Sequence, residues 1–143
     1  MSSQLMISTH PKVRGNYSAA VVRCIDECLA CVQACTACAD ACLAESMVEH
    51  LRQCIRLNLD CADLCHAVAS IATRSTGSNE EVLRHALEAC CIACGRCAKE
   101  CESHAAAHEH CRICAKECRE CEDACRLAIR IVAAAGAPRL HAN

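Results

Sequence analysis

The sequence predicts an all-α protein, an antiparallel up-down-up-down four-helix bundle with a cysteine-lined core. Three observations carry that prediction. No stretch alternates apolar and polar residues with period two, while the strong helix formers Ala, Leu, Glu, Lys and Arg are abundant. Pro11 and Pro138 lie in the tails, and of the four glycines only Gly95 interrupts a helical pattern. The cysteines recur at alternating spacings of four and three, which is the repeat of a single helix face.

The first helix is expected to start after Ser18 and run to about Glu45. Ser46-Met47-Val48-Glu49 reads as a capping box, in which a Ser hydroxyl and a Glu carboxylate satisfy each other's free backbone donors, and it opens the second helix. That helix ends near Arg74, ahead of the turn residues Ser75-Thr76-Gly77-Ser78. A second box, Ser78-Asn79-Glu80-Glu81, opens the third helix. The break before the fourth falls within Ser103-His104-Ala105-Ala106-Ala107, and the fourth fades before Gly136-Ala137-Pro138. Segments of about 25 residues at ~1.5 Å each give helices roughly 40 Å long, and short connections force antiparallel neighbours. The expected organisation is an N-terminal tail over 1–17, the bundle over 18–135 and a C-terminal tail over 136–143.

A chain of 143 residues is one domain. Its core is unusual, because Leu, Ile, Val and Met total 30 against 19 Cys and 27 Ala, and Tyr17 is the sole aromatic. Sulfur must therefore fill much of the interior. A net charge of -2 with interleaved signs argues against a nucleic-acid partner, which would call for a basic face. No apolar run suggests a secretory signal or a membrane span, so a cytoplasmic protein is expected. In that reducing compartment an odd number of cysteines is a poor disulfide framework, and metal binding becomes the leading reading.

The first helix places Cys24, Cys28, Cys31, Cys35, Cys38 and Cys42 on one inward stripe. The second contributes Cys54, Cys61 and Cys65, the third Cys90, Cys94, Cys97 and Cys101, and the fourth Cys111, Cys114, Cys118, Cys121 and Cys125. Extending the stripes gives an aliphatic plug at one end (Val21, Val68, Ile71, Leu83, Leu87, Ile129 and Val132) and a softer mouth at the other (Met47, Leu51, His104 and His108). Buried thiolates repel unless cations neutralise them, and soft thiolates select Cu(I), Zn or iron-sulfur clusters. Eight CxxxC pairs put two sulfurs one helical turn apart, an arrangement that suits near-linear Cu(I) better than tetrahedral Zn. Bridging thiolates would then allow about one Cu(I) per sulfur, many ions per chain.

These repeated CxxxC pairs, over residues 18 to 135, make the chain resemble the cytosolic branch of the copper storage proteins. The resemblance implies Cu(I) storage inside the bundle, copper entry at the mouth near His104, and a homotetramer. The expected function is high-capacity Cu(I) storage and detoxification, with a copper chaperone or cuproenzyme as recipient, and with all eighteen inward cysteines and His104 as metal ligands.

Two other readings compete. Cys91, Cys94, Cys97 and Cys101 spell CxxCxxCxxxC, the spacing of an iron-sulfur electron-transfer protein, although Glu102 stands where the proline is expected and the run lies in a helical pattern. A zinc or cadmium thiolate buffer would hold only four or five ions in unshared tetrahedral sites. Cys91 falls about 100° from Cys90 and is left off the metal row. His50, His66, His85 and His110 are expected at the surface, and Asn58 on the inward stripe in a structural role. No Glu-x-x-His occurs, so no di-iron site and no enzyme is expected.

Overall fold

The computed structural model describes residues 2–135; the expected C-terminal tail, 136–143, lies outside the described residues. The elements are α1 (Ser3–Ser8), α2 (Ala19–Leu43), a 3-10 turn (Val48–Leu51), α3 (Arg52–Thr73), α4 (Glu80–His104) and α5 (Glu109–Ala135). Helices α2, α3, α4 and α5 each pack on their chain neighbours, and α5 closes the ring against α2. The four-helix bundle expected from the Cys stripes is therefore what forms, and among the described residues there is no strand.

Helix starts follow local chemistry only in part. Helix α2 starts after Ser18 as expected, and the structure adds a cap there, the Ser18 Oγ accepting the Val21 N–H at 3.3 Å. Neither capping box forms. The α2–α3 connection tightens into the 3-10 turn behind Met47, and α4 starts one residue later than expected, behind Asn79; neither start has a side-chain cap. In both places the route between antiparallel helices decides the backbone path. Gly77, at φ +72°, takes the left-handed turn ahead of α4 at no Cβ cost.

The expected N-terminal tail also contains structure. Helix α1 docks on α2 through Ile7, which is buried, and the Tyr17 hydroxyl accepts a 2.6 Å hydrogen bond from Gln4 Nε2. Six residues cannot sustain a helix alone, so the docking is what holds it, and no periodic signal announces it.

The core has an aliphatic end and a sulfur shaft. Val22, Ile25, Val68, Leu87 and Val132 are buried at the closed end, whereas Leu51 is the buried aliphatic of the mouth end. Burying each such side chain stabilises the fold by roughly 1.5–3 kcal/mol. Gly95 of α4 lies where a Cβ would stand 3.0 Å from the carboxylate of Glu122 on α5, which Arg119 and Arg126 of the same helix each pair with at 2.9 Å. None of the described helices is long and apolar enough to cross a membrane.

Candidate metal centre

All eighteen cysteines of the four stripes are buried, none more than 1% exposed, and every one is a free thiol. The 4-3 spacing turns each sulfur into the shaft, and antiparallel packing interleaves the rows. Within a helix, sulfurs of Cys31 and Cys35 lie 3.7 Å apart, those of Cys114 and Cys118 3.9 Å, and those of Cys61 and Cys65 4.0 Å. Contacts between helices are as short or shorter: Cys35 to Cys118 is 3.5 Å, Cys61 to Cys94 3.6 Å, Cys65 to Cys90 3.6 Å and Cys54 to Cys101 3.6 Å.

The sulfurs thus form a three-dimensional network, where the helix-by-helix reading expected a ladder of CxxxC rungs. Groups of four, with ligand atoms all within 4.8 Å of one another, follow the shaft: Cys38/Cys42/Cys54/Cys111, Cys35/Cys97/Cys114/Cys118, Cys31/Cys35/Cys61/Cys118, Cys31/Cys65/Cys94/Cys121 and Cys28/Cys90/Cys121/Cys125. Cys31, Cys35, Cys118 and Cys121 each belong to two of these groups. Shared sulfurs are what bridging thiolate chemistry requires, and they leave unshared tetrahedral sites little room.

At the mouth end, burial pushes the Cys42 thiol up to about 11 and also raises that of Cys111. Among the described residues one polar side chain, that of Asn58, is fully buried with the thiols. The Oδ1 of Asn58 accepts S–H bonds from Cys97 at 3.0 Å, Cys114 at 3.4 Å and Cys101 at 3.5 Å, while its Nδ2 donates to Cys54 Sγ at 3.8 Å. Its inward position was legible in the α3 stripe; its reach to α4 and α5 was not.

Cys91 stands apart from the row, as its register indicates. It is half-buried and its S–H points to the Glu122 carbonyl at 3.7 Å. The four thiols of the CxxCxxCxxxC run consequently do not converge: three enter the shaft from one continuous helix and the fourth faces α5, so an iron-sulfur cluster lacks its ligand set.

At the mouth the histidines are arranged differently from expectation. His104, chosen from sequence as the ligand, has its Nε2 3.1 Å from Glu100 on its own helix. His110, expected at the surface, is the histidine in contact with thiols: its Nδ1 lies 3.4 Å from Cys38 Sγ and 3.6 Å from Cys111 Sγ. Its Nε2 is 3.0 Å from Glu45, which His108 also approaches at 3.1 Å. A helix wheel sets His110 one residue off the Cys111 stripe, but the first turn of α5 meets the end of α2, and that junction brings the ring over Cys38. Met47 is half exposed.

Residues 17–130 match the family model described as "Copper storage protein". Among solved structures, the copper storage protein Ccsp from Streptomyces lividans, loaded with 10 copper equivalents, is 48% identical, with 90% of this chain and 98% of that chain covered and a TM-score of 0.86. The Cu(I)-bound copper storage protein BsCsp3 is 37% identical, covering 73% and 92% of the two chains with a TM-score of 0.64. An uncharacterized cysteine-rich protein of Bacillus subtilis, YhjQ, is 37% identical over 103 residues, 72% of this chain and 90% of that protein.

Proposed function

This chain belongs to the copper storage protein family, and from that premise we propose that it is a high-capacity store for Cu(I). The observation that carries the reading is the continuous network of eighteen buried thiols with sulfurs shared between neighbouring groups. Copper is the cargo, and Cys24, Cys28, Cys31, Cys35, Cys38, Cys42, Cys54, Cys61, Cys65, Cys90, Cys94, Cys97, Cys101, Cys111, Cys114, Cys118, Cys121 and Cys125 hold it. As each Cu(I) takes a sulfur, the displaced thiol hydrogen leaves as a proton, so filling removes the electrostatic penalty that thiolates alone would carry.

Entry is at the mouth. His110 with Cys38 and Cys111 offers one imidazole nitrogen and two sulfurs there, a soft donor set for a first ion, and Glu45 orients the ring. The role first assigned to His104 passes to His110, and His104 joins the approach to the mouth. The site performs storage and buffering, with no catalytic step. A cytoplasmic setting, a homotetramer of bundles and release to a copper chaperone or cuproenzyme complete the reading, supported by the resemblance to the cytosolic relatives.

Native mass spectrometry after loading with excess Cu(I) under anaerobic conditions tests this function. A population centred near 18 ions per chain supports it. A population of four or five ions, matched by equal zinc uptake, removes it in favour of a tetrahedral thiolate buffer.

A further inference from the structure

Two of the four-thiol groups share the Cys35–Cys118 edge, and they differ in what surrounds them. In Cys35/Cys97/Cys114/Cys118 the Asn58 oxygen is aimed at two of the sulfurs, Cys97 at 3.0 Å and Cys114 at 3.4 Å. An acceptor in that place suits a thiol and repels a thiolate. Among the described residues that oxygen bonds none of Cys31, Cys35, Cys61 and Cys118. In this second group the sulfurs stand 3.5 Å (Cys35–Cys118), 3.7 Å (Cys31–Cys35), 3.8 Å (Cys31–Cys61) and 3.8 Å (Cys31–Cys118) apart, and the two remaining separations stay within 4.8 Å. Four thiolates around one tetrahedral Zn(II), at metal–sulfur bonds of about 2.3 Å, stand about 3.8 Å from one another.

We infer that the copper-free shaft is also a zinc site, its first Zn(II) equivalent held by Cys31, Cys35, Cys61 and Cys118. This activity goes beyond copper storage. Helix α2 supplies two of the ligands, α3 one and α5 one, so the ion ties three helices together before any copper arrives. On binding, four S–H bonds break, four Zn–S bonds form and four protons leave to solvent, and the filled site carries two negative charges. A buried dianion is costly unless hydrogen bonds satisfy it. The neighbouring thiols supply them. Cys114 already donates to Cys35 at 3.7 Å, and Cys97 lies 3.9 Å from the same sulfur. Cys94 and Cys65 lie 3.6 Å and 4.0 Å from Cys61. These four keep their hydrogens and turn them toward the new thiolates, the charge-assisted form of a contact already in place. With the sulfurs near tetrahedral spacing from the start, the ion enters with little rearrangement, and the softer Cu(I) then displaces it as the shaft fills.

Anaerobic titration of the reduced, metal-free full chain with Co(II), a coloured stand-in for zinc, followed by back-titration with Zn(II), reads the site directly. The expected result is the intense absorption of a tetrahedral four-thiolate Co(II) centre at the first equivalent, bleached by one equivalent of Zn(II). Cys61→Ser and Cys31→Ser should weaken the first Zn(II) equivalent, measured by competition with a chromophoric chelator, by more than the roughly 10- to 100-fold that loss of an outer partner costs. Cys97→Ser alters the rival group and leaves these four ligands in place, so it should change that affinity by less than about tenfold. Circular dichroism establishes that each variant folds, and if one of the two ligand variants does not, the other serves. A colourless or octahedral Co(II) spectrum in the wild-type protein overturns the inference, as does a loss in Cys97→Ser as large as that in Cys61→Ser. Copper uptake by the same wild-type preparation tells the failures apart: near 18 copper ions without the Co(II) spectrum removes the zinc site alone, and only a few copper ions with that spectrum removes the storage reading alone.

Discussion

The Nδ1 of His110 lies 3.4 Å from the sulfur of Cys38, while the Nε2 of the same ring lies 3.0 Å from Glu45. With Glu45 accepting the Nε2 hydrogen, the Nδ1 lone pair faces the first thiols that incoming copper meets. His110→Ala is expected to slow the first uptake step and to weaken binding of the first equivalent by about tenfold, the usual worth of such a ligand arrangement. Final capacity should stay within about one ion of the wild type. Chelator competition at one equivalent of Cu(I) measures the first effect, and full titration the second.

Cys61 sits within 4.0 Å of Cys31, Cys65 and Cys94, deep in the shaft. Cys61→Ser substitutes a hard hydroxyl for a soft bridging sulfur. Uptake should fall by about one to two ions with helix content unchanged, since serine is close in volume. Metal analysis together with far-ultraviolet circular dichroism checks both halves; a collapse in uptake to a handful of ions would show that the shaft does not fill site by site.

Cys91 makes the opposite case. Its thiol faces the Glu122 carbonyl outside the shaft, so Cys91→Ala should leave copper capacity unchanged. Capacity lower by one full equivalent, measured by inductively coupled plasma mass spectrometry on loaded protein, would place Cys91 in the metal row.

Glu117 supplies a pH dependence for the metal-free protein. Burial, aided by the neighbouring Glu27, pushes its carboxyl up to about 8. A carboxyl whose folded-state value lies above its unfolded value holds the proton more tightly when folded, so its contribution is complete at low pH and is lost as pH rises from about 4.5 through about 8. Because Glu117 is partly open to solvent, screening keeps this to about 1 kcal/mol. The Tm of the metal-free protein should therefore decline across that window, and Glu117→Gln should flatten the decline. A profile identical in both proteins would exclude Glu117 as the source.

Leu87 is almost fully buried in the aliphatic end. Leu87→Ala removes packing that no metal replaces and should cost about 2–4 kcal/mol by chemical denaturation of the metal-free form. Copper capacity should survive, because the nearest thiol on the same face, Cys90, is untouched; loss of capacity would mean that the plug also shapes the inner sites.

Which features were readable from sequence follows from how local their causes are. The Cys stripes, the helix start after Ser18 and the break around Ala105 depend on spacing or on residues within a turn of one another, and all are present as read. The Ser46 and Ser78 boxes use the same local chemistry but sit in interhelical turns, where the path between packed helices overrules a hydrogen bond worth about 1 kcal/mol. Helix α1 is too short to be periodic and exists through the burial of Ile7 on α2. His110 was misassigned for a related reason. Its angle on the α5 wheel is a surface angle, and only the meeting of α5's first turn with the end of α2 puts it over Cys38. A histidine adjacent to the first cysteine of an inward row, within the opening turn of its helix, is the signal that would have found it. The lateral sulfur contacts, such as Cys35 with Cys118, depend on how the interleaved rows register, which no single helix encodes.

The central claim is that eighteen buried thiols act as one bridged Cu(I) store. Its most direct test is anaerobic titration of reduced, metal-free protein with Cu(I) in the presence of a chromophoric chelator, followed until the chelator begins to compete. Binding close to one copper per inward sulfur, near 18 per chain, is the predicted result; saturation at four or five ions would contradict it.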